Sequence, residues 1–599
     1  MKNRSLQLIL ALLALLPACL QRSTPGVSPV SVTTSELRAS FVAPPDSVRP
    51  GVYWYFMDGN LSGEAMTADL EAMKEAGIGN VLFLEVNVGV PRGKVDFLSE
   101  EWQELFAHAM KECERLGITM TLGVGPGWSG SGGPWVEAGE SMRHLVSSTL
   151  KVSSDTIGQI QLPVPEPRKP FFGYGTLTPD LREKWMAYYE DVAVLAFPTP
   201  PVDNLIPGID EKALFTRAPY TSMEGVKPFL PEPFFPAPES PEEAVDPEKI
   251  VDLTPYLREE GIIDWQVPPG KWTIVRMGMR NNGAVTRPAP YPGLGFECDK
   301  FDTTAFRNHF NAFIGKLFTK SDFTRKVSSG GLTRLHMDSW EMGAQNWSDT
   351  FREEFKKRRG YDPLPYLPVF SGVVVTSREI SERFLWDLRL TAQELVLENH
   401  AGYIRETGRR YGLNLSIQPY DMNPCADLDL GAVADVPSCE FWLKGVGFNS
   451  SFGCVEATSV AHVMGRPMVS AEAFTANAGK EGYTAWPGLL KNQGDWAFAA
   501  GINHFVYHTF AHKALGENLR PGMTMGPYGV HWDRGQTWWP MAEGYHRYIS
   551  RCSFLLQQGR TVADILYLTP EGAPHVFRPP QSALEGNDTI PDRRGYNFD

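Results

Sequence analysis

Apolar runs alternate along this chain with stretches whose apolar positions recur every three or four residues, and the pattern predicts elements one at a time. Gly51–Phe56 is a run of β-formers, broken by Asp58-Gly59-Asn60. Ser62 then caps a helix over 63–76, in which Met66, Leu70, Met73 and Ala76 share a face before Gly77 closes it. Asn80–Val86 reads as a second strand. A Gly/Pro loop leads to a helix from Glu100 to Arg115, capped at Ser99 and stopped by Gly117, and Ile118–Val124 is a third strand. This βαβαβ order with short connections means parallel strands covered by helices. Unbroken apolar runs fit strands buried on both faces.

From Arg143 to Pro292 the helical period disappears. Short alternating runs at 145–152, 192–197 and 272–277, between Pro-dense stretches such as 228–241, predict an inserted β-sandwich-like domain after strand three. The βα rhythm resumes at 295–301, and Asp302 or Thr303 caps a helix over 305–318. Arg334–Gly343 reads as a fourth strand running off its end into a loop rich in chemistry. Helices at 348–360 and 377–412 follow, then strands at 413–418, 438–442, 467–473 and 504–510, with helices near 458–465 and 489–501. The fold class is therefore α/β: a (β/α)8 TIM-type barrel built from 51–142 and 293–558, with the inserted domain at 143–292. A helix runs from Trp538 to about Gln558, and 561–568 begins a strand of a C-terminal domain, 559–599, left incomplete.

Ahead of the barrel, Lys2 and Arg4 precede an apolar run, Leu6–Leu16, too short to span a bilayer. Leu16-Pro17-Ala18-Cys19 resembles a bacterial lipobox. That resemblance implies a signal peptide over 1–19, a lipid on Cys19, and a tether over 20–50. The expected location is the bacterial cell envelope, at the periplasmic or surface face of the outer membrane, with the lipid anchor as the one membrane contact. A formal net charge of −14 over 599 residues argues against nucleic acid as a partner. Cys113, Cys298, Cys425, Cys439, Cys454 and Cys552 show no CxxC spacing, which speaks against zinc. An exported chain can pair some of them, in a pattern the sequence leaves open.

Strand ends of such a barrel point into its mouth. Here they are Asp58, Glu85, Trp128, Asp338, Glu341, Gln418, Glu440, Glu472 and His508. Any single acid of this kind serves equally well as a cap or an ion-pair partner. Gathered at one mouth, they must repel, share protons or hold a cation. Cleavage of a glycosidic bond needs one carboxyl group to protonate the leaving oxygen and a second as base or nucleophile. Glu341 and Glu472, after strands four and seven, suit that pair. Asp58, Trp128, Asp338, Trp340, Glu440, Trp442 and His508 are the candidate substrate-binding residues. Sixteen Trp and twenty Tyr are mostly core material, yet a few suffice to stack sugar rings. The glycine-rich loop Gly125–Trp135 lacks a P-loop Lys, and Ser470 lacks the G-x-S-x-G elbow, which removes nucleotide binding and esterase chemistry from consideration.

Trp54–Asn60, Ala68–Gly79, Pro126-Gly127-Trp128-Ser129, Gly132-Gly133-Pro134-Trp135, Asp338-Ser339-Trp340-Glu341, Glu440-Phe441-Trp442 and Ser470–Phe474 together resemble glycoside hydrolase family 106, the α-L-rhamnosidases, over roughly residues 50 to 570. The resemblance implies an inverting, calcium-dependent exo-α-L-rhamnosidase acting on oligosaccharides or polysaccharides of plant cell-wall pectin or related glycans. It places the two catalytic glutamates on Glu341, as general acid, and Glu472, as general base, or with these roles exchanged. It also implies Ca2+ in the mouth, with Glu297 and Asp299, beside Asp338 and Glu440, as candidate ligands. A glycosidase of another specificity on the same barrel, and a non-catalytic glycan-binding surface lipoprotein, are the alternatives.

Overall fold

Eight parallel strands close into a barrel in the computed structural model, which describes residues 33–569 except 129, 157, 202–204, 217–243, 322–329, 420–424, 444–449, 478–481 and 527, together with 572 and 597–599. After α1 (Thr34–Val42), the wall starts with β1 (Gly51–Met57), α2 (Gly63–Glu75), β2 (Asn80–Val86), α3 (Glu100–Leu116) and β3 (Thr119–Gly123). The inserted sheet contributes β4 (Arg143–Ser153), β5 (Glu190–Pro198), β6 (Val251–Asp252) and β7 (Lys271–Asn281). The wall then resumes with β8 (Gly331–Met337), α4 (Arg378–Leu395), β9 (Asn414–Ile417), β10 (Val436–Trp442), α5 (Ser450–Val463), β11 (Ser470–Thr475), α6 (Pro487–Ala499), β12 (His504–Ala511) and α7 (Ala542–Leu556). The strand order around the barrel is β1-β12-β11-β10-β9-β8-β3-β2, every pairing parallel.

The period of two in β1 divides the molecule. Val52, Trp54 and Phe56 face outward into the main core, where Met66, Leu70 and Met73 of α2 and Trp102 and Phe106 of α3 meet them. Burial of each such side chain stabilises the fold by roughly 1.5–3 kcal/mol. Tyr53 and Tyr55 belong to a separate cluster with Leu82, Leu84, Val86 and Val506, inside the barrel. The helix signals are realised as read: Ser62 Oγ accepts from Ala65 N at 3.3 Å, and Gly117 ends α3 in the left-handed conformation at φ 68°.

The insertion is an antiparallel sheet of four strands, in the order β4-β7-β5-β6, with a two-stranded piece of Gln159–Gln161 and Ile262–Asp264. Val152, Ile160, Leu162, Val194, Trp272 and Ile274 form a small core between them. The opposite face, with Leu145, Leu195, Val275 and Met277, joins the main core. The expected sandwich is thus one sheet with a partial cover, backed by the barrel's own packing.

Other expectations need correction. The βα rhythm that resumes at 295–301 begins outside the barrel wall, where Phe296 and Glu297 pair antiparallel with Gly133 and Gly132. The segment read as a tether contains α1, whose Thr33 and Glu36 form a capping box. Arg551 of α7 stacks over the Phe41 ring and donates to Val42 O at 3.1 Å, which docks α1 on the barrel. Within 561–568, pairing is limited among the described residues to an isolated bridge from Ile565 to Phe598. Cys19 lies outside the described residues. The six later cysteines are free thiols, with Cys439 Sγ 3.8 Å from Cys454 Sγ. No helix among the described residues is long and apolar enough to cross a membrane.

Candidate active site

β10 and β11 run parallel in a register that sets Glu440 directly beside Glu472, with Ser438 beside Ser470 two residues earlier on each strand. Small hydroxyl residues thus underlie the two acids, which stand near the strands' C-terminal ends. β8 stops at Met337, and the turn beyond it carries Asp338, Ser339 and Glu341. A small cavity of about 20 Å³ beneath is lined by Tyr53, His336, Ser416, Ser438, Ser470 and Glu472, among others.

Each glutamate has its own set of donors. Gln418 Nε2 donates to Glu472 Oε2 at 3.3 Å and to the Tyr53 hydroxyl at 3.0 Å. Tyr53 in turn donates to Glu472, and Thr475 Oγ1 makes a short bond to Oε1. His508 Nε2 lies 3.9 Å from the same oxygen. Glu341 takes the indole N–H of Trp128 at 3.0 Å on Oε2 and the hydroxyl of Ser339 at 3.4 Å on Oε1.

Tyr55 joins the two sides. Its ring centroid is 5.8 Å from that of Tyr53, 5.4 Å from His508 and 6.5 Å from Trp128. Burial pushes its phenol well above the usual 10, and the negative charges of Asp338, Glu472, Glu341 and Glu440 push it further in the same direction. The Tyr55 ring thus lies against both Trp128, the donor to Glu341, and His508, beside Glu472, so the two glutamates face one mouth. Tyr53 is raised likewise, by burial and then by Asp338 and Glu472. His508 is lowered by burial, against the pull of Glu472 and Asp338, and stays a neutral imidazole at neutral pH.

Several expected site residues do other work. Glu85 points outward, takes Gly59 N at 2.7 Å and Trp102 Nε1 at 2.5 Å, and is pushed up to about 7 by burial. Asp58 accepts from Tyr291 N at 2.7 Å and so fastens a rim loop. Trp340 is 4% exposed, donates to Gly343 O and packs on His400, which makes it core rather than a sugar platform. Trp442 is half-buried at the rim with its ring against Tyr528.

The calcium assignment meets a physical obstacle. Glu297 and Lys300 form an ion pair at 2.9 Å with both side chains fully buried. Asp299 is paired at 2.9 Å with Arg143 and accepts from Phe301 N at 2.7 Å. These carboxylates already face protein cations. The glycine-rich loop wraps the first of them so closely that a Cβ at Gly130 would lie 1.8 Å from Glu297 Oε1. Glu297 and Asp299, each held by a buried protein cation, therefore do not fit a calcium site. Sequence reading missed Tyr53, Tyr55 and Thr475 as site residues. The available signal was the alternation in β1, where both tyrosines fall on the face opposite Trp54 and Phe56.

Residues 42–599 match the model of glycoside hydrolase family 106, described as alpha-L-rhamnosidase. The chain belongs to glycoside hydrolase family 106. A rhamnosidase structure from Novosphingobium sp. PP1Y superposes with a TM-score of 0.76 at 27% identity, over 94% of this chain and 64% of that one. A curated relative from Formosa agariphila, named "Putative beta-glucuronidase", is 35% identical over 542 residues, which are 90% of this chain and 43% of the relative. The chain therefore spans less than half of the curated relative and under two thirds of the solved rhamnosidase.

Proposed function

We propose that the chain is an exo-acting, inverting α-L-rhamnosidase that releases terminal rhamnose from plant cell-wall pectic or related glycans. The supporting observation is the single mouth in which the Tyr55 ring lies against both Trp128, the donor to Glu341, and His508, beside Glu472. Glu341, on the turn after β8, donates its proton to the leaving glycosidic oxygen. Glu472 takes a proton from water as that water attacks the anomeric carbon from the opposite face. The base must be ionised, and Glu472 has the richer donor set, from Gln418, Tyr53 and Thr475. The products are rhamnose of inverted anomeric configuration and a free hydroxyl on the remaining glycan, with Glu341 ionised and Glu472 protonated until solvent exchange resets them.

The Formosa agariphila relative's name raises β-glucuronide hydrolysis as a second reading. A glucuronide brings a carboxylate into a mouth that already holds Asp338, Glu341, Glu440 and Glu472, beside a neutral His508. Like-charge repulsion favours a neutral sugar such as rhamnose. Calcium, bound elsewhere than at Glu297 and Asp299, and lipid attachment at Cys19, in the bacterial envelope, complete the proposal; activity after dialysis against a chelator tests the first, and mass analysis of the mature N-terminus the second.

A panel of aryl glycosides decides the specificity. The expected result is turnover of the α-L-rhamnoside alone, with proton NMR detecting β-rhamnose before mutarotation. Turnover of the β-glucuronide in its place would overturn the specificity, and initial release of α-rhamnose would overturn inversion.

A further inference from the structure

Two tyrosines follow each other up the inner face of β1, and the barrel treats their hydroxyls differently. Tyr53 donates to Glu472 and accepts from Gln418 Nε2 at 3.0 Å. Tyr55 stands two residues nearer the C-terminal end of β1, in register with Leu84 and Ala511, so its ring lies one layer closer to the mouth. It is 2% exposed and flanked by Tyr53, His508 and Trp128. Yet its hydroxyl shares no hydrogen bond with any described residue. The partnerless hydroxyls of Tyr507 and Tyr545 are sealed in the core, whereas that of Tyr55 keeps an opening. A phenol buried this deeply ordinarily has a partner. The other donors of the mouth are committed: Trp128 Nε1 to Glu341 at 3.0 Å, and Gln418 Nε2 and Thr475 Oγ1 to Glu472.

We infer that the Tyr55 hydroxyl is a substrate-binding group, which donates a hydrogen bond to a ring hydroxyl of the terminal sugar held between Glu341 and Glu472. This role rests on the rhamnosidase reading and adds to it a specificity-determining contact. The position fits, because Trp128 on one side of the ring holds Glu341, and His508 on another lies 3.9 Å from Glu472. The chemistry fits as well. Ionised carboxylates only accept hydrogen bonds, whereas a sugar hydroxyl both donates and accepts. A sugar among these acids can donate to them, but its own lone pairs need a donor from the protein. The Tyr55 phenol, pushed up by burial and then by the surrounding charges, keeps its proton and supplies that donor. A sugar without the matching hydroxyl leaves the phenol unpaired, so the contact discriminates by hydrogen bonding rather than by charge.

Tyr55→Phe keeps the ring contacts, removes only the hydroxyl and leaves no protein group unpaired, so its thermal midpoint stays near that of the unmodified full chain. The test assays both proteins on a small aryl α-L-rhamnoside and on its 2-, 3- and 4-deoxy forms. Taking the ratio of kcat/KM, unmodified protein over Tyr55→Phe, removes the intrinsic reactivity of each sugar. The expected ratio is about ten on the parent rhamnoside and on two of the deoxy sugars. On the third it is close to one, because the deoxy sugar and the variant delete the same bond. A ratio near one on the parent, or the same ratio on all four sugars, overturns the role of Tyr55 and leaves rhamnose release standing. An unmodified protein that does not cleave the parent rhamnoside overturns the rhamnosidase reading and this role with it.

Discussion

Gln418 stands with its amide nitrogen 3.3 Å from Glu472 Oε2, and the same nitrogen reaches the Tyr53 hydroxyl at 3.0 Å. The amide therefore fixes both the carboxylate and the phenol that donates to it. Because the Tyr53 phenol is held well above its usual range, it remains a donor throughout the pH range of an assay.

Removing that donor has a definite consequence. Tyr53→Phe takes away a hydrogen bond that holds the Glu472 carboxylate in place. kcat at the optimum falls about tenfold, the size expected for misplacing a general base. A kcat identical to that of the unmodified protein would mean that Tyr53 only fills space.

The pair of Lys300 and Glu297 gives a prediction about stability. Lys300→Met leaves the Glu297 carboxylate fully buried without its cation, which destabilises the fold by roughly 3–5 kcal/mol. Adding Glu297→Gln recovers part of that loss, because the uncompensated charge is gone. Guanidinium denaturation of both variants measures this. A cost below about 1 kcal/mol for Lys300→Met would contradict the structural role assigned to the pair.

Glu85 supplies a pH-dependent term. Its folded-state value is about 7 against 4.5 for the free group, raised mainly by burial. Below pH 4.5 both folded and unfolded chains hold the proton, and Glu85 has no effect. Above it the unfolded chain ionises first, so stability falls until the folded carboxyl ionises near pH 7 and is level beyond. The whole loss is on the order of 3 kcal/mol. Glu85→Gln lacks it, so the stability of the unmodified protein minus that of the variant declines between those two pH values. A difference that is flat with pH would contradict the assignment.

The sequence revealed the barrel where the physics is local. β1, β2 and α3 are bounded within about a residue by apolar runs, Ser62 and Ser99 caps and Gly117, because those signals act over one turn or one strand. The site was legible to the extent that strand ends determine it: Asp338, Glu341, Glu440, Glu472 and His508 surround the tyrosine pair. Trp340 was misplaced because an indole beside an acid looks the same whether the turn swings it to the mouth or into the core. Glu297 and Asp299 were misread for a related reason: their partners include Arg143, 156 positions from Asp299, and that pairing depends on how the insertion returns to the barrel. Tyr53 and Gln418 are 365 positions apart, and only barrel closure brings them together.

Loss of rhamnose release in Glu341→Gln and Glu472→Gln is the most direct measurement of the paired-carboxylate account. On a small aryl α-L-rhamnoside, each substitution lowers kcat at least a hundredfold while the fold and its thermal midpoint persist. Either variant turning over at the rate of the unmodified protein would show that the reaction runs without that carboxyl group and would contradict the account.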